Sequence, residues 1–215
     1  MTRGGEVLHE SLIGLAADGG PRHSTALLGE VERAAAAAGG WEAVGRIAVG
    51  VGPGSFTGLR IGVATARALG ASLGLPVTGV CTLDAVGRAL GELDGAASRL
   101  AVLDARRGEV FAALYSPSGE RLWGPLVESP GGLATRLSSL THPLLAAGSG
   151  AVRFRGELVG SGVEIPEDAD SVHRVAARHV CAIAAAAGPE QLAPIYLRPP
   201  DAERWRERDT FDRAE

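Results

Sequence analysis

Val49-Gly-Val-Gly-Pro-Gly-Ser-Phe-Thr-Gly-Leu-Arg-Ile-Gly-Val-Ala-Thr-Ala66 decides the fold class. A short apolar strand (44–51) runs into a loop of Gly, Pro, Ser and Thr (52–58), and the loop runs into a helix (57–73). A strand–loop–helix unit followed by a further strand (75–80) and helix (82–91) predicts a parallel α/β sheet. Gly52, Gly54 and Gly58 let the backbone approach an anion, and the helix start offers free N–H groups. Ser55 and Thr57 are placed either to bond a phosphate oxygen or to cap the helix. The standard nucleotide templates fail: the P-loop needs a lysine, and neither Ser55 nor Thr57 supplies the last glycine of GxGxxG. Along the helix Gly58, Gly62, Ala66, Gly70 and Gly74 recur every four residues and form one stripe beside Val63. Glycine in a helix costs about 1 kcal/mol relative to alanine, so the stripe implies close approach of another backbone. Two readings stand: packing on the helix's own sheet, or contact with another chain. Arg60 and Arg67, seven apart, share a face.

Upstream, 6–15 alternates as a strand, with Gly4-Gly5 before it as a hairpin turn. Three residues precede that turn, which predicts no partner strand. A helix over 24–38 follows, with Leu27, Leu28 and Val31 in its apolar stripe and His23 at its start, a capping or packing position. Gly39-Gly40 ends it. Downstream the pattern becomes a meander: strands at 100–105, 109–116 and 121–127, a helix at 133–140, a strand at 144–147 and a helix at 172–187. Residues 92–98, small and polar, divide a first lobe (1–98) from a second (99–200). The tail 201–215, with ten charged residues of fifteen, reads as a solvated helix or as disorder.

The chain has 215 residues and a formal charge of −4, and all 21 basic residues are arginine. No Schiff-base or P-loop lysine is available, nor a lysine-rich nucleic-acid footprint. With 4% aromatic residues, platforms for stacking single-stranded RNA are disfavoured. Cys81 and Cys181 stand alone, without CxxC spacing. The five histidines form no HxxxH pair, and His9-Glu10 does not continue into HExxH, so a metal site is not expected. No Ser sits in a GxSxG elbow. There is no spanning apolar run and no signal peptide, which predicts a cytoplasmic protein without a membrane partner. Asp104-Ala-Arg-Arg-Gly-Glu109 reads as a charged hairpin turn, and Pro194-Ile-Tyr-Leu-Arg-Pro-Pro200 as an extended segment that clamps a lobe.

Gly52-Pro-Gly-Ser-Phe-Thr-Gly-Leu-Arg60, Leu103-Asp-Ala-Arg-Arg-Gly-Glu-Val110 and Pro194-Ile-Tyr-Leu-Arg-Pro199 together resemble the TsaB (YeaZ) family, as do Arg22-His-Ser24 and Gly79-Val-Cys-Thr-Leu-Asp-Ala85. The resemblance covers residues 4–200. It implies an actin/hexokinase-like (ASKHA) α/β fold of two lobes and a non-catalytic role in making threonylcarbamoyladenosine (t6A) in tRNA. The implied partners are the catalytic subunit TsaD, the ATPase TsaE and, alternatively, a second copy of the chain, with tRNA met only through the complex. ATP and metal are then expected on those partners, with no cofactor here. In the family the first two long helices make the subunit bundle. That assigns the contact to His23, Leu27, Val31, Arg60, Gly62, Val63, Ala66, Arg67 and Gly70. Members open with a strand carrying an Asp-Thr-Ser-like run, whereas this chain starts at the turn. This predicts a sheet without its middle strand and a start codon upstream of Met1. The alternatives are an ATP-binding enzyme of the same fold using Gly52–Gly58 and, more weakly, a peptidase, for which the sequence supplies no nucleophile.

Overall fold

The computed structural model describes residues 1–13, 23–140, 143–188 and 192–198, with the side chains of the first helix described from residue 26 onward. The tail from 201 lies outside the described residues. In chain order the elements are β1 (Thr2–Arg3), β2 (Glu6–Val7), α1 (His23–Ala37), a 3-10 turn (Trp41–Ala43), β3 (Ile47–Gly52), α2 (Phe56–Leu73), β4 (Val77–Cys81) and α3 (Thr82–Leu93). There follow β5 (Ser98–Asp104), β6 (Val110–Tyr115), β7 (Arg121–Glu128), α4 (Pro130–Leu137), β8 (Leu144–Ala147), α5 (Ser149–Arg153), α6 (Arg155–Val159), β9 (Val163–Glu164), a 3-10 turn (Ser171–His173) and α7 (Ala177–Ala186).

β3 and β4 are parallel and joined through α2, as the opening stretch predicts. Alternate residues of the pair face opposite layers. Val49 and Val77 meet α2, while Ala48 and Val80 pack with Ala85 of α3 and Val180, Ile183 and Ala184 of α7. The second sheet has the order β7-β6-β5-β8-β9, with antiparallel pairing from β7 to β5 and parallel pairing from β5 to β9. One core joins the two regions: Leu83, Val86 and Leu90 of α3 pack with Ala101, Leu103, Phe111 and Ala113.

Three expectations need correction. The first concerns 6–15. Among the described residues of this range only Glu6–Val7 forms a strand, and Thr2–Arg3 does partner it across Gly4-Gly5, whose φ values of 57° and 92° suit a tight turn. Residues 8–13 form no further ladder among the described residues. Their polar side chains reach helices instead: Ser11 Oγ donates to Glu30 at 2.8 Å, and Glu10 accepts from Arg178 N and Nη1, both at 2.7 Å. Glu10 thereby caps the start of α7, while Arg46 donates to Ala184 O and Ala187 O at its end.

The second concerns the helix expected over 172–187, which is broken. His173 is drawn into tertiary bonds: Gly148 N donates to its Nδ1 at 3.2 Å, and its Nε2 meets Glu167 O at 3.1 Å. The chain leaves helical geometry at Arg174 and Ala176 before α7 begins. The third concerns the helix expected over 133–140. It starts three residues earlier, because Ser129 Oγ accepts from Gly132 N and Pro130 occupies the first turn.

Candidate functional site

Ser55 resolves the first ambiguity of the glycine loop. Its Oγ accepts from Gly58 N at 3.3 Å and its carbonyl accepts from Leu59 N at 2.9 Å, so it caps α2. Gly52 has φ 108°, and a Cβ there would lie 2.8 Å from Ile195 O. The extended segment 192–198 crosses the loop at that point, with Ile195 N donating to Val51 O at 2.7 Å. Tyr196 packs its ring 5.1 Å from Phe56, and the Arg60 guanidinium sits 3.8 Å from the centre of the Phe56 ring. Arg67 donates to Leu192 O.

The same segment reaches the second sheet. Arg198 donates to Ala105 O at 3.1 Å and pairs with Glu109. The segment expected to clamp one lobe therefore ties both. At the hairpin turn Arg106 and Arg107 take φ of 63° and 54°, left-handed values uncommon for non-glycine residues. Arg106 N donates to Asp104 Oδ1 and Arg153 donates to Asp104 Oδ2, both at 2.8 Å.

Glycine loop, hairpin turn and clamp line one half-open cavity of about 580 Å³, with Gly54, Ser55, Thr57, Arg106, Arg107 and Tyr196 among its walls. Three of the motifs that carry the family resemblance are thus brought together in space. Thr57 is exposed at the rim, while Gly58 sits behind Ser55. Among the described residues no group of His, Cys, Asp and Glu could hold a metal ion.

The small stripe of α2 faces inward. Gly62 lies against Val49, and a Cβ on Gly70 would collide with Val77. Val63 and Ala66 are 4% and 5% exposed. Periodicity alone did not separate the two faces of this helix. The outward face consists of Arg60, Ala64, Arg67, Ala68 and Ala71, all exposed. Beside it α1 packs on α2, with Leu27 and Val31 half-buried and Leu28 exposed. His23 is the first residue of α1, and its side chain lies outside the described residues. Ala64, Ala68 and Ala71 went unsingled in the sequence, though their i, i+4, i+7 spacing was there to be read. No helix among the described residues is long and apolar enough to cross a membrane.

The family model described as TsaD, tRNA N6-adenosine threonylcarbamoyltransferase, matches residues 17–153. An uncharacterised protein of Mycobacterium tuberculosis is 40% identical over 156 residues, which is 73% of this chain and 65% of that protein. The tRNA threonylcarbamoyladenosine biosynthesis protein TsaB of Escherichia coli is 41% identical over 80 residues, 37% of this chain and 35% of its own length. The chain spans less than two thirds of the length of the curated relatives it matches. Among solved structures, a Pseudomonas aeruginosa protein described as similar to peptidase YeaZ superposes with a TM-score of 0.66. It is 27% identical, with 84% of this chain and 87% of that one covered. The chain thus has an actin/hexokinase-like α/β fold. The chain belongs to the family that this TsaD model describes and, within it, is of the TsaB (YeaZ) type.

Proposed function

We propose that the chain is a non-catalytic partner subunit in t6A synthesis, which binds a TsaD-type subunit through α1 and α2 and holds it in a competent state. The observation that carries this reading is the two-sided build of α2. Its inward side is spent on β3 and β4, while Ala64, Ala68 and Ala71 leave a flat, small-residue surface flanked by Arg60 and Arg67. Small side chains let a second helix approach closely, and exposed Leu28 extends the apolar area onto α1. The same face would serve a second copy of the chain when the partner is absent. The engagement of the polar groups around the cavity also supports a binding role: Ser55 caps a helix, Asp104 is held by Arg153, and Ile195 covers Gly52. The name of the E. coli relative supports the t6A pathway. A TsaE-type ATPase joins the assembly in this reading, and tRNA is met there.

The test is threonylcarbamoyl transfer to tRNA by a TsaD-type subunit and a TsaE-type ATPase, with and without this chain. Transfer that requires the chain supports the reading, and equal transfer without it refutes it. A second reading, nucleotide binding in the 580 Å³ cavity, is favoured by the arginines of its hairpin rim. Calorimetric titration of ATP into the chain and into Arg106→Ala tests it, and saturable binding weakened by the substitution supports it.

A further inference from the structure

A second hollow, of about 370 Å³, shares no lining residue with the cavity at the glycine loop. Three guanidinium groups from three elements line it: Arg88 of α3, Arg99 of β5 and Arg121 of β7. One carboxylate opposes them. Asp84 already accepts from Tyr115 Oη at 2.7 Å and from Arg121 at 2.8 Å, so Arg88 and Arg99 are left without a counter-charge in the lining. The arrangement is built for Arg99. A Cβ on Gly91 would collide with its guanidinium, and one on Gly119 would come within 3.3 Å of its Nη1. Its Nη2 donates to Pro117 O, while its Nε is shut off from solvent without an acceptor. Arg88 is exposed and makes no hydrogen bond or ion pair with the described residues.

Like charges gathered in a hollow repel one another unless an anion joins them. Guanidinium forks match the oxygens of a phosphate bidentately. An excess of two positive charges suits one phosphomonoester, or two neighbouring phosphodiesters of a nucleic-acid strand. We propose that this hollow is a phosphate-binding site. Its occupant is then either the terminal phosphate of a small metabolite or the backbone of tRNA seated on the complex. The second source rests on the function proposed above, and the first does not.

The test begins with the full chain and two probes, inorganic phosphate and pyrophosphate, followed by calorimetry. Saturable millimolar binding is expected, weakened about tenfold in Arg88→Gln and in Arg99→Gln, and unchanged in Arg136→Gln, a cation outside the hollow. Arg88→Gln removes an exposed charge that makes no hydrogen bond or ion pair with the described residues, so it tests the site at little cost to the fold. Absent binding at about 10 mM, or binding indifferent to both substitutions, overturns the proposal. The salt dependence of tRNA binding by the reconstituted complex then separates the sources. A log–log slope reduced by about one in Arg88→Gln assigns the site to the RNA backbone, and an unchanged slope with phosphate binding intact assigns it to a small phosphorylated ligand. If the complex does not form, the subunit reading fails while the phosphate titration still decides the hollow.

Discussion

Gly52 carries two constraints at once, a φ of 108° and the passage of Ile195 across its Cα. Gly52→Ala imposes both backbone strain and a clash with Ile195 O, so it should cost about 1–3 kcal/mol. Urea unfolding should show that loss, and limited proteolysis should cut within 192–198 faster than in the parent. His179 offers a different test. Burial holds its pKa below the ordinary value, and its side chain is 2% exposed with no acceptor or donor at Nε2. The unfolded chain therefore takes up the proton first as pH falls. Stability contributed by the neutral ring is full above about 6.5 and is lost as pH drops through that value towards the folded pKa, by at most about 1.4 kcal/mol per unit between the two. Melting temperature should fall between pH 7.5 and 5.5, and His179→Leu should flatten that slope. An identical slope in the variant would place the titration elsewhere. Some of this was open to sequence reading, since Ser55 was one of two candidates for cap or anion contact. His173 was not, because its partners at 148 and 167 are set by tertiary packing.

At the scale of the element, α2 shows what periodicity can and cannot say. A four-residue repeat of Gly and Ala shows that something comes close on that side, but not whether it is the chain's own sheet or another chain. Packing answers this, with Val49 and Val77 on the small side. Ala66→Trp should therefore overpack the helix against the sheet and destabilise the chain by about 1–3 kcal/mol or more. Ala68→Trp, on the exposed face, should leave thermal unfolding within about 0.5 kcal/mol of the parent. Differential scanning calorimetry of both checks the assignment of faces, and equal losses would contradict it. Strand reading failed over residues 8–13 for a related reason. Alternation of polar and apolar side chains is shared by a ladder strand and by an extended strap, and Glu10 and Ser11 found helices to bind. The short α5, α6 and β9 carried no periodic signal of useful length.

In the whole molecule, three segments separated by some fifty and ninety residues meet at one cavity, and the clamp 192–198 bonds to both sheets. Spacing along the chain holds no information on that convergence. Family resemblance named these motifs together without placing them in space. The two sequence regions 1–98 and 99–200 share more than a linker, since α3 contributes to the core of the second sheet and α7 packs back on β3, β4 and α3. A partner held by α1 and α2 would thus be coupled mechanically, through Arg67, Phe56 and the clamp, to the cavity. On the function proposed above, the outward face of α2 docks the partner. The most direct test of this is sedimentation velocity of a TsaD-type subunit mixed with this chain or with Ala68→Trp. A heterodimer is expected with the parent chain and separate species with the variant, whose melting temperature stays unchanged. A heterodimer that forms equally well with the folded variant would contradict it.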